Sequence, residues 1–338
     1  MNSRLLGASG LRVSELCLGV GTFGDREFGA DPDESARIFR SYLDAGGRFF
    51  DVANTYAEGR SEEILGALAK GMRDELVIGT KYTAMTRPGD LNSWGNHRKS
   101  LRQALDASLA RLQTDYVDVL WVHAWDGLTP LDEIVRALDD EIRRGRVLYA
   151  GVSNTPAWAI ARAQTLAEER GLSPFVALQT EYNLATRTAE HELLPMTKAL
   201  HLSVLSWSPL AGGVLAGGYR SPNDSSGTRW PYDEVPTRRL EIAAAVAEVA
   251  AEIGRTPAEV ALAWLRQRPI PVIPIIGARK LSQLEQNLAV LDIRLAPDEL
   301  TKLDALSAPL PIMPGEFMDT PAAARFFDQG SRRFVIVE

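Results

Sequence analysis

Eight short apolar runs, each followed by an amphipathic stretch, constrain this chain more than any other feature. The runs are "ELCLGVG", "GRFFDVA", "ELVIGTK", "DYVDVLWVH", "VLYAGVSN", "FVALQT", "SVLSWSPL" and "PVIPIIGA". In each, Val, Ile, Leu or Phe falls on consecutive positions rather than alternate ones. A strand with one wet face alternates; a strand covered on both faces does not. Between the runs, "LRQALDASLARL" carries Leu101, Leu105, Leu109 and Leu112, a helical stripe. Buried parallel strands alternating with helices predict an α/β chain folded as a (β/α)8, or TIM, barrel. No linker divides it, so one domain over 1–338 is expected, with a tail over 309–338.

Local signals agree. "RLLGASGLRVS" predicts a short hairpin turning at Gly7 and Gly10, a cap for the barrel's lower end. Asp31, Pro32 and Glu34 read as N-cap, first helical residue and capping-box acid, with Gly46 available as the stop. Ser61 reads as the start of the next helix, with two acids in its first turn. Thr256–Pro257 predicts a second helix after the seventh run, and the Gly-, Ser- and Pro-bearing segment 211–237 a long loop before it.

Composition removes several function classes. Among 338 residues, 45% hydrophobic content can fill a large core, and a net charge of −7 without a basic block argues against nucleic acid or an anionic membrane as partner. Cys17 is the single cysteine, so no internal disulfide forms, and its apolar run predicts inert core. No long apolar leader or membrane-length run is present, so a cytoplasmic protein is expected. His97, His191 and His201 have no ligand spacing, so no metal site is expected.

The run ends are unusually polar. In such a barrel, catalytic groups come from the C-terminal ends of the strands. Here they would be Asp51, Lys81, His123, Ser153 with Asn154, Gln179, and Trp207 with Ser208. A buried charge needs a partner, and Asp51 and Lys81 on adjacent strands can be each other's. Tyr56 follows Asp51 in "FFDVANTYAEG". A free phenol, with a pKa of about 10, is a poor acid at neutral pH, and an adjacent ammonium favours its phenolate. Tyr56, Lys81, Asp51 and His123 can together protonate an oxygen gaining negative charge, which carbonyl reduction by hydride requires.

These stretches, with "GVGTFG", "FFDVANTYAEGRSEEILG", "NHRKSLRQALDASLARLQTDYVDVLWVHAWD", "LQTEYN", "WSPLAGGVLAGGY" and "IIGARKLSQLEQNL", resemble the aldo-keto reductases over roughly residues 3–308. The resemblance implies a TIM barrel that reduces aldehydes and ketones with NADPH. It implies Tyr56 as proton donor, Lys81 and Asp51 tuning it, and His123 orienting the carbonyl. Ser153, Asn154 and Gln179 would hold the nicotinamide carboxamide, with Trp207 beside the ring and Ser208 and Leu210 along the pyrophosphate. Gly21, Thr22 and Phe23 would border the cofactor. Gly277, Arg279, Gln283 and Asn287 would take the adenosine end, Arg279 on the 2′-phosphate.

Blander readings stand beside these. "GVGTFG" formally matches a dinucleotide fingerprint, but "DREFGA" intervenes before the first N-cap, so the required strand–turn–helix context is missing. Asp51–Lys81 alone could be a structural pair, His123 alone a core histidine, Arg279 alone surface charge. Trp94, Trp125 and Trp230 either line a substrate pocket or pack loops together. Two other functions stay open: a cofactor-binding regulatory protein with little turnover, as in channel-subunit relatives, and a dehydrogenase oxidising a sugar or alcohol. The carbonyl substrate's identity and a homo-oligomer are also open.

Overall fold

The computed structural model describes residues 1–219, 232–318 and 320–327. A hairpin of β1 (Ser3–Leu5) and β2 (Arg12–Ser14) comes first, paired antiparallel with Leu5 opposite Arg12. All eight apolar runs are strands: β3 (Cys17–Gly19), β4 (Phe49–Asp51), β5 (Val77–Tyr82), β6 (Val117–Val122), β7 (Val147–Ser153), β8 (Phe175–Glu181), β9 (Ser203–Trp207) and β10 (Val272–Gly277). They close into a barrel in chain order, β10 pairing back onto β3, with every pair parallel. Helices α1 (Pro32–Asp44), α2 (Arg60–Ala69), α3 (Arg98–Leu112), α4 (Leu131–Arg143), α5 (Ala157–Arg170) and α6 (Leu193–Ala199) each follow one strand. Two helices, α7 (Thr237–Glu252) and α8 (Pro257–Arg266), follow β9, and α9 (Leu281–Leu288) follows β10. Beyond the barrel lie α10 (Pro297–Leu306) and, in the tail where no period was read, the short α11 (Gly315–Met318) and α12 (Pro321–Phe327).

The consecutive apolar residues serve two cores. Phe49, Val77, Val119, Trp121, Leu205 and Ile273 fill the barrel interior. Their neighbours Phe50, Ile78, Leu120 and Val204 face the helices. Each such buried side chain stabilises the fold by about 1.5–3 kcal/mol. Cys17 is fully buried in the inner cluster, and burial first, then the Asp51 charge, pushes its thiol well up.

Trp121 forms the floor beneath the strand ends. Its Cα lies opposite Lys81 on one side and Gly151 on the other. A Cβ on Gly151 would sit 2.3 Å from the indole, so only glycine admits the ring there. The hairpin closes the opposite end: Leu6 is fully buried in the inner cluster, and the Gly7 N–H donates to Ser203 Oγ at 2.7 Å.

Two cap expectations are corrected. Asp31 does cap α1, accepting from the Glu34 N–H at 2.8 Å, and Thr256 forms a full capping box with Glu259. Glu34 does not complete the box at α1. Its Oε1 accepts instead from Leu281 N–H at 2.6 Å, on α9. Nor does Ser61 begin α2. Gly59 is the N-cap, at a left-handed φ of 93° that glycine adopts without strain. Ser61 is buried, and its hydroxyl donates to the Phe23 carbonyl at 2.8 Å rather than to its own helix.

Candidate active site

Asp51 and Lys81 meet at the C-terminal mouth. The register pairs Asp51 with Gly79, so Lys81 stands one inward step further along β5. Its four-carbon stem reaches back across that offset. Nζ lies 2.5 Å from Asp51 Oδ2 and donates to the Val52 carbonyl at 2.9 Å. The other carboxylate oxygen accepts from Gln179 Nε2 at 2.5 Å. Lys81 and Asp51 are 2% and 4% exposed, so the charges rely on each other. Burial pulls the Lys81 ammonium down, but Asp51, then Tyr56, outweigh it and leave it above its ordinary value. Burial pushes the Asp51 carboxyl up, opposed by Lys81. The ordinary values, 3.8 and 10.5, are so far apart that the proton stays on lysine and the pair is ionic.

Tyr56 sits beside this pair. The Lys81 ammonium lies 4.9 Å from the centroid of its ring, and the His123 ring meets it edge-on at 6.0 Å. The phenol is held by backbone. Ala57 and Glu58 take left-handed φ values of 47° and 59°, turning the chain sharply after Tyr56. Gly21 packs against the ring face, where a Cβ would come within 3.0 Å of it. His123 follows β6 directly. Burial first, then Lys81, lowers its imidazole to about 4, so the ring is neutral at physiological pH. Its Nδ1 is buried with no partner.

Around this cluster lie further buried polar atoms without partners: Ser153 Oγ at the end of β7, Trp207 Nε1 at the end of β9, and both amide atoms of Asn54. Buried polar atoms are ordinarily hydrogen-bonded. Unfilled groups on several strand ends suit a polar ligand that spans the mouth, and the residues present fit a nicotinamide dinucleotide in kind.

The remaining expected contacts divide. Gln179 and Asn154 spend an amide N–H within the protein, Gln179 on Asp51 and Asn154 on the His123 carbonyl at 2.8 Å. Asn154 and Ser208 hold left-handed φ values of 45° and 49°, just past β7 and β9. Asn183 donates to the Ser208 carbonyl at 2.9 Å, and Leu210 leads into a 3-10 segment, Ala211–Ala216. Thr22 Oγ1 donates to the Ala278 carbonyl at 2.8 Å. Phe23 is fully buried on the helix side, so only its backbone can border the mouth. At the end of β10, Gln283 accepts from Arg279 N–H at 2.8 Å and Asn287 donates to the Gly277 carbonyl at 3.0 Å. Those two side chains shape the loop that presents Arg279.

Trp125 stacks edge-on with Trp158 at 5.3 Å. Trp94 is half-buried, and Trp230 lies outside the described residues. Sequence reasoning passed over Trp158 and Asn183. Only Trp158 carried a local signal, an aromatic in the first turn after a polar strand end. No group of acids, histidines and cysteine able to hold a metal occurs among the described residues, and none of their helices is long and apolar enough to cross a membrane.

Comparison with known proteins decides the family. The model of the Aldo/keto reductase family matches residues 15–308. This chain belongs to that family. It is 38% identical to the uncharacterized oxidoreductase YrpG of Bacillus subtilis, over 96% of this chain and 99% of that one. It is 36% identical to norsolorinic acid reductase of Aspergillus flavus, over 89% and 80%. It is 33% identical to an NADP(+) aryl-alcohol dehydrogenase of Phanerodontia chrysosporium, over 87% and 83%. The chain is therefore an oxidoreductase of the aldo-keto reductase family, whose members generally use nicotinamide cofactors.

Proposed function

We propose that this aldo-keto reductase reduces an aldehyde or ketone to an alcohol with NADPH, and that Tyr56 gives the proton. The observation that carries the reading is the buried Lys81–Asp51 pair lying 4.9 Å from the Tyr56 ring, with His123 on its edge. A nicotinamide dinucleotide, when bound, supplies the hydride. The chain's residues do the rest. Ser153 and Trp207 bring unfilled polar atoms to the ring end of the cofactor, and Gln179 keeps its carbonyl oxygen free to accept there. His123, neutral, donates from Nε2 to the substrate oxygen, since its Nδ1 is enclosed. Tyr56 releases its proton to that oxygen as charge builds on it. The Lys81 ammonium stabilises the phenolate left behind, and Asp51 keeps that ammonium in place. Arg279, at the mouth of the loop before α9, takes the 2′-phosphate with help from the helix N-terminus.

The relative named an aryl-alcohol dehydrogenase supports a second reading, oxidation of an alcohol, in which the same groups run in reverse. The test separates role from fold. Tyr56→Phe is expected to bind NADPH as the parent does and to lose about 10²- to 10⁴-fold in turnover, read from nicotinamide absorbance with aromatic aldehydes. Near-normal turnover in that variant would sink the assignment.

A further inference from the structure

Glu34 is placed to cap its own helix and does something else. It lies in the first turn of α1, but its Oε1 accepts the N–H of Leu281 at 2.6 Å. Leu281 is the first residue of α9, and the N-cap there, Lys280, gives no side-chain cap of its own. An acid from the neighbouring helix thus fills the acceptor role that a helix start demands. Its other oxygen pairs with Arg37. The Glu34 side chain is 15% exposed and held between these partners, whereas Arg37 is 62% exposed.

The same helix start lies two residues beyond Arg279. Its positive dipole is what would draw a phosphate there. A carboxylate is already present. We infer that Glu34 sets how strongly this protein distinguishes the 2′-phosphorylated from the unphosphorylated dinucleotide, by holding a negative charge against the place the 2′-phosphate would take. The inference rests on the reading above that α9 and Arg279 receive the adenosine end. Arg37 offsets the charge only in part, because an exposed guanidinium is screened by solvent and salt. A like charge beside a phosphate, strongly screened by solvent, changes its affinity by about tenfold. The unphosphorylated cofactor has a hydroxyl in that place and is indifferent to the charge. Glu34 and Arg279 then oppose each other, and the cofactor preference is their difference.

The test uses two probes of the adenosine end, adenosine 2′,5′-bisphosphate and adenosine 5′-monophosphate, titrated calorimetrically into the full-length protein. Glu34→Gln keeps an acceptor for Leu281 N–H and removes the charge. It is expected to bind the bisphosphate about tenfold more tightly than the parent, with the monophosphate unchanged and the gain shrinking in high salt. Arg37→Gln, which leaves Glu34 unopposed, should move bisphosphate affinity the other way, by about two- to threefold. Unchanged bisphosphate affinity in Glu34→Gln overturns the inference. So does equal tightening of both probes, which would report a reshaped loop. The reading of Arg279 fails separately, if Arg279→Ala and the parent bind the bisphosphate alike. A gain in Glu34→Gln would then still support the inference, since the charge at 34 alone would be excluding the phosphate.

Discussion

Thr80 and Lys81 are adjacent on β5, point to opposite faces of the sheet, and each opens onto a buried charge network. On the helix side, Thr80 Oγ1 donates to Glu62 at 2.5 Å, and Arg111 Nε donates to the other Glu62 oxygen at 2.7 Å. On the barrel side, Lys81 meets Asp51, which Gln179 completes. Both networks bury a carboxylate and pair it with a cation. They differ in what surrounds them. Each Glu62 oxygen has its partner, and the network closes on itself, tying α2 to α3. The Lys81–Asp51 pair is also closed, but Ser153, Trp207 and His123 stand around it with unfilled polar atoms. Burial of charge alone therefore does not mark a site. What singles out the barrel mouth as the candidate site is an ion pair with unsatisfied polar atoms on several strand ends around it. The outward network still serves the inward one. The Arg111 stem lies against Gly59, where a Cβ would come within 2.8 Å of it, and Gly59 ends the turn that carries Tyr56.

The largest break expected comes from Lys81→Met. It strips the barrel-side pair and leaves Asp51 charged and buried with only Gln179. A one-sided loss of this kind costs about 3–5 kcal/mol, and turnover should disappear with it. Urea unfolding and a turnover assay read the two effects separately. A variant as stable as the parent would mean that Asp51 takes up a proton at no cost, and the ionic description of the pair would be wrong.

Glu62→Ala tests the other half of the comparison. Arg111 is 23% exposed and can turn to water, so the loss should be smaller, about 1–3 kcal/mol, with Thr80 left unpaired in the layer. Since Glu62 touches no reacting group, turnover per folded molecule should fall only a few-fold, through a looser Tyr56 turn. A collapse of turnover at full stability would show that the helix-side network shapes the chemistry more directly than its contacts indicate.

The contrast also marks how far sequence reading reaches. The strands were legible because a strand covered on both faces writes itself as consecutive apolar residues: Phe49 goes inward and Phe50 outward. Asp51, Lys81 and His123 were legible because charge or imidazole at the end of such a run breaks the pattern. Ser61 was misread because a buried hydroxyl chose the Phe23 carbonyl, far off in the chain, over its own helix. Glu34 was misread for the same reason: spacing described a local cap, and α9 packing beside α1 offered a stronger donor. The left-handed turn at Ala57 and Glu58, which places Tyr56, has no residue type that announces it, since neither is glycine or asparagine. Contacts between elements distant in sequence decide these cases, and a local pattern cannot hold them.

The smallest effect separates His123 from both networks by its response to pH. Its ordinary value is 6.5, and burial first, then Lys81, lowers it to about 4 in the folded protein. As pH falls, the unfolded chain takes up this proton before the folded one does. The contribution to stability is thus whole above 6.5, declines between 6.5 and about 4, and loses nothing more below that. Discounted for the part of the ring that meets solvent, the decline should amount to about 1–2 kcal/mol. His123→Gln has no such titration. Carboxylates titrating in the same window act on both proteins and cancel in the difference. Urea unfolding of parent and variant at about pH 7.5 and about pH 4.5 should therefore show the parent losing more stability than the variant by that amount. Equal losses would place the imidazole at its ordinary value in the fold. The ring would then take up its proton below about pH 6.5 instead of staying neutral down to about 4, and the burial assigned to it would have to be given up.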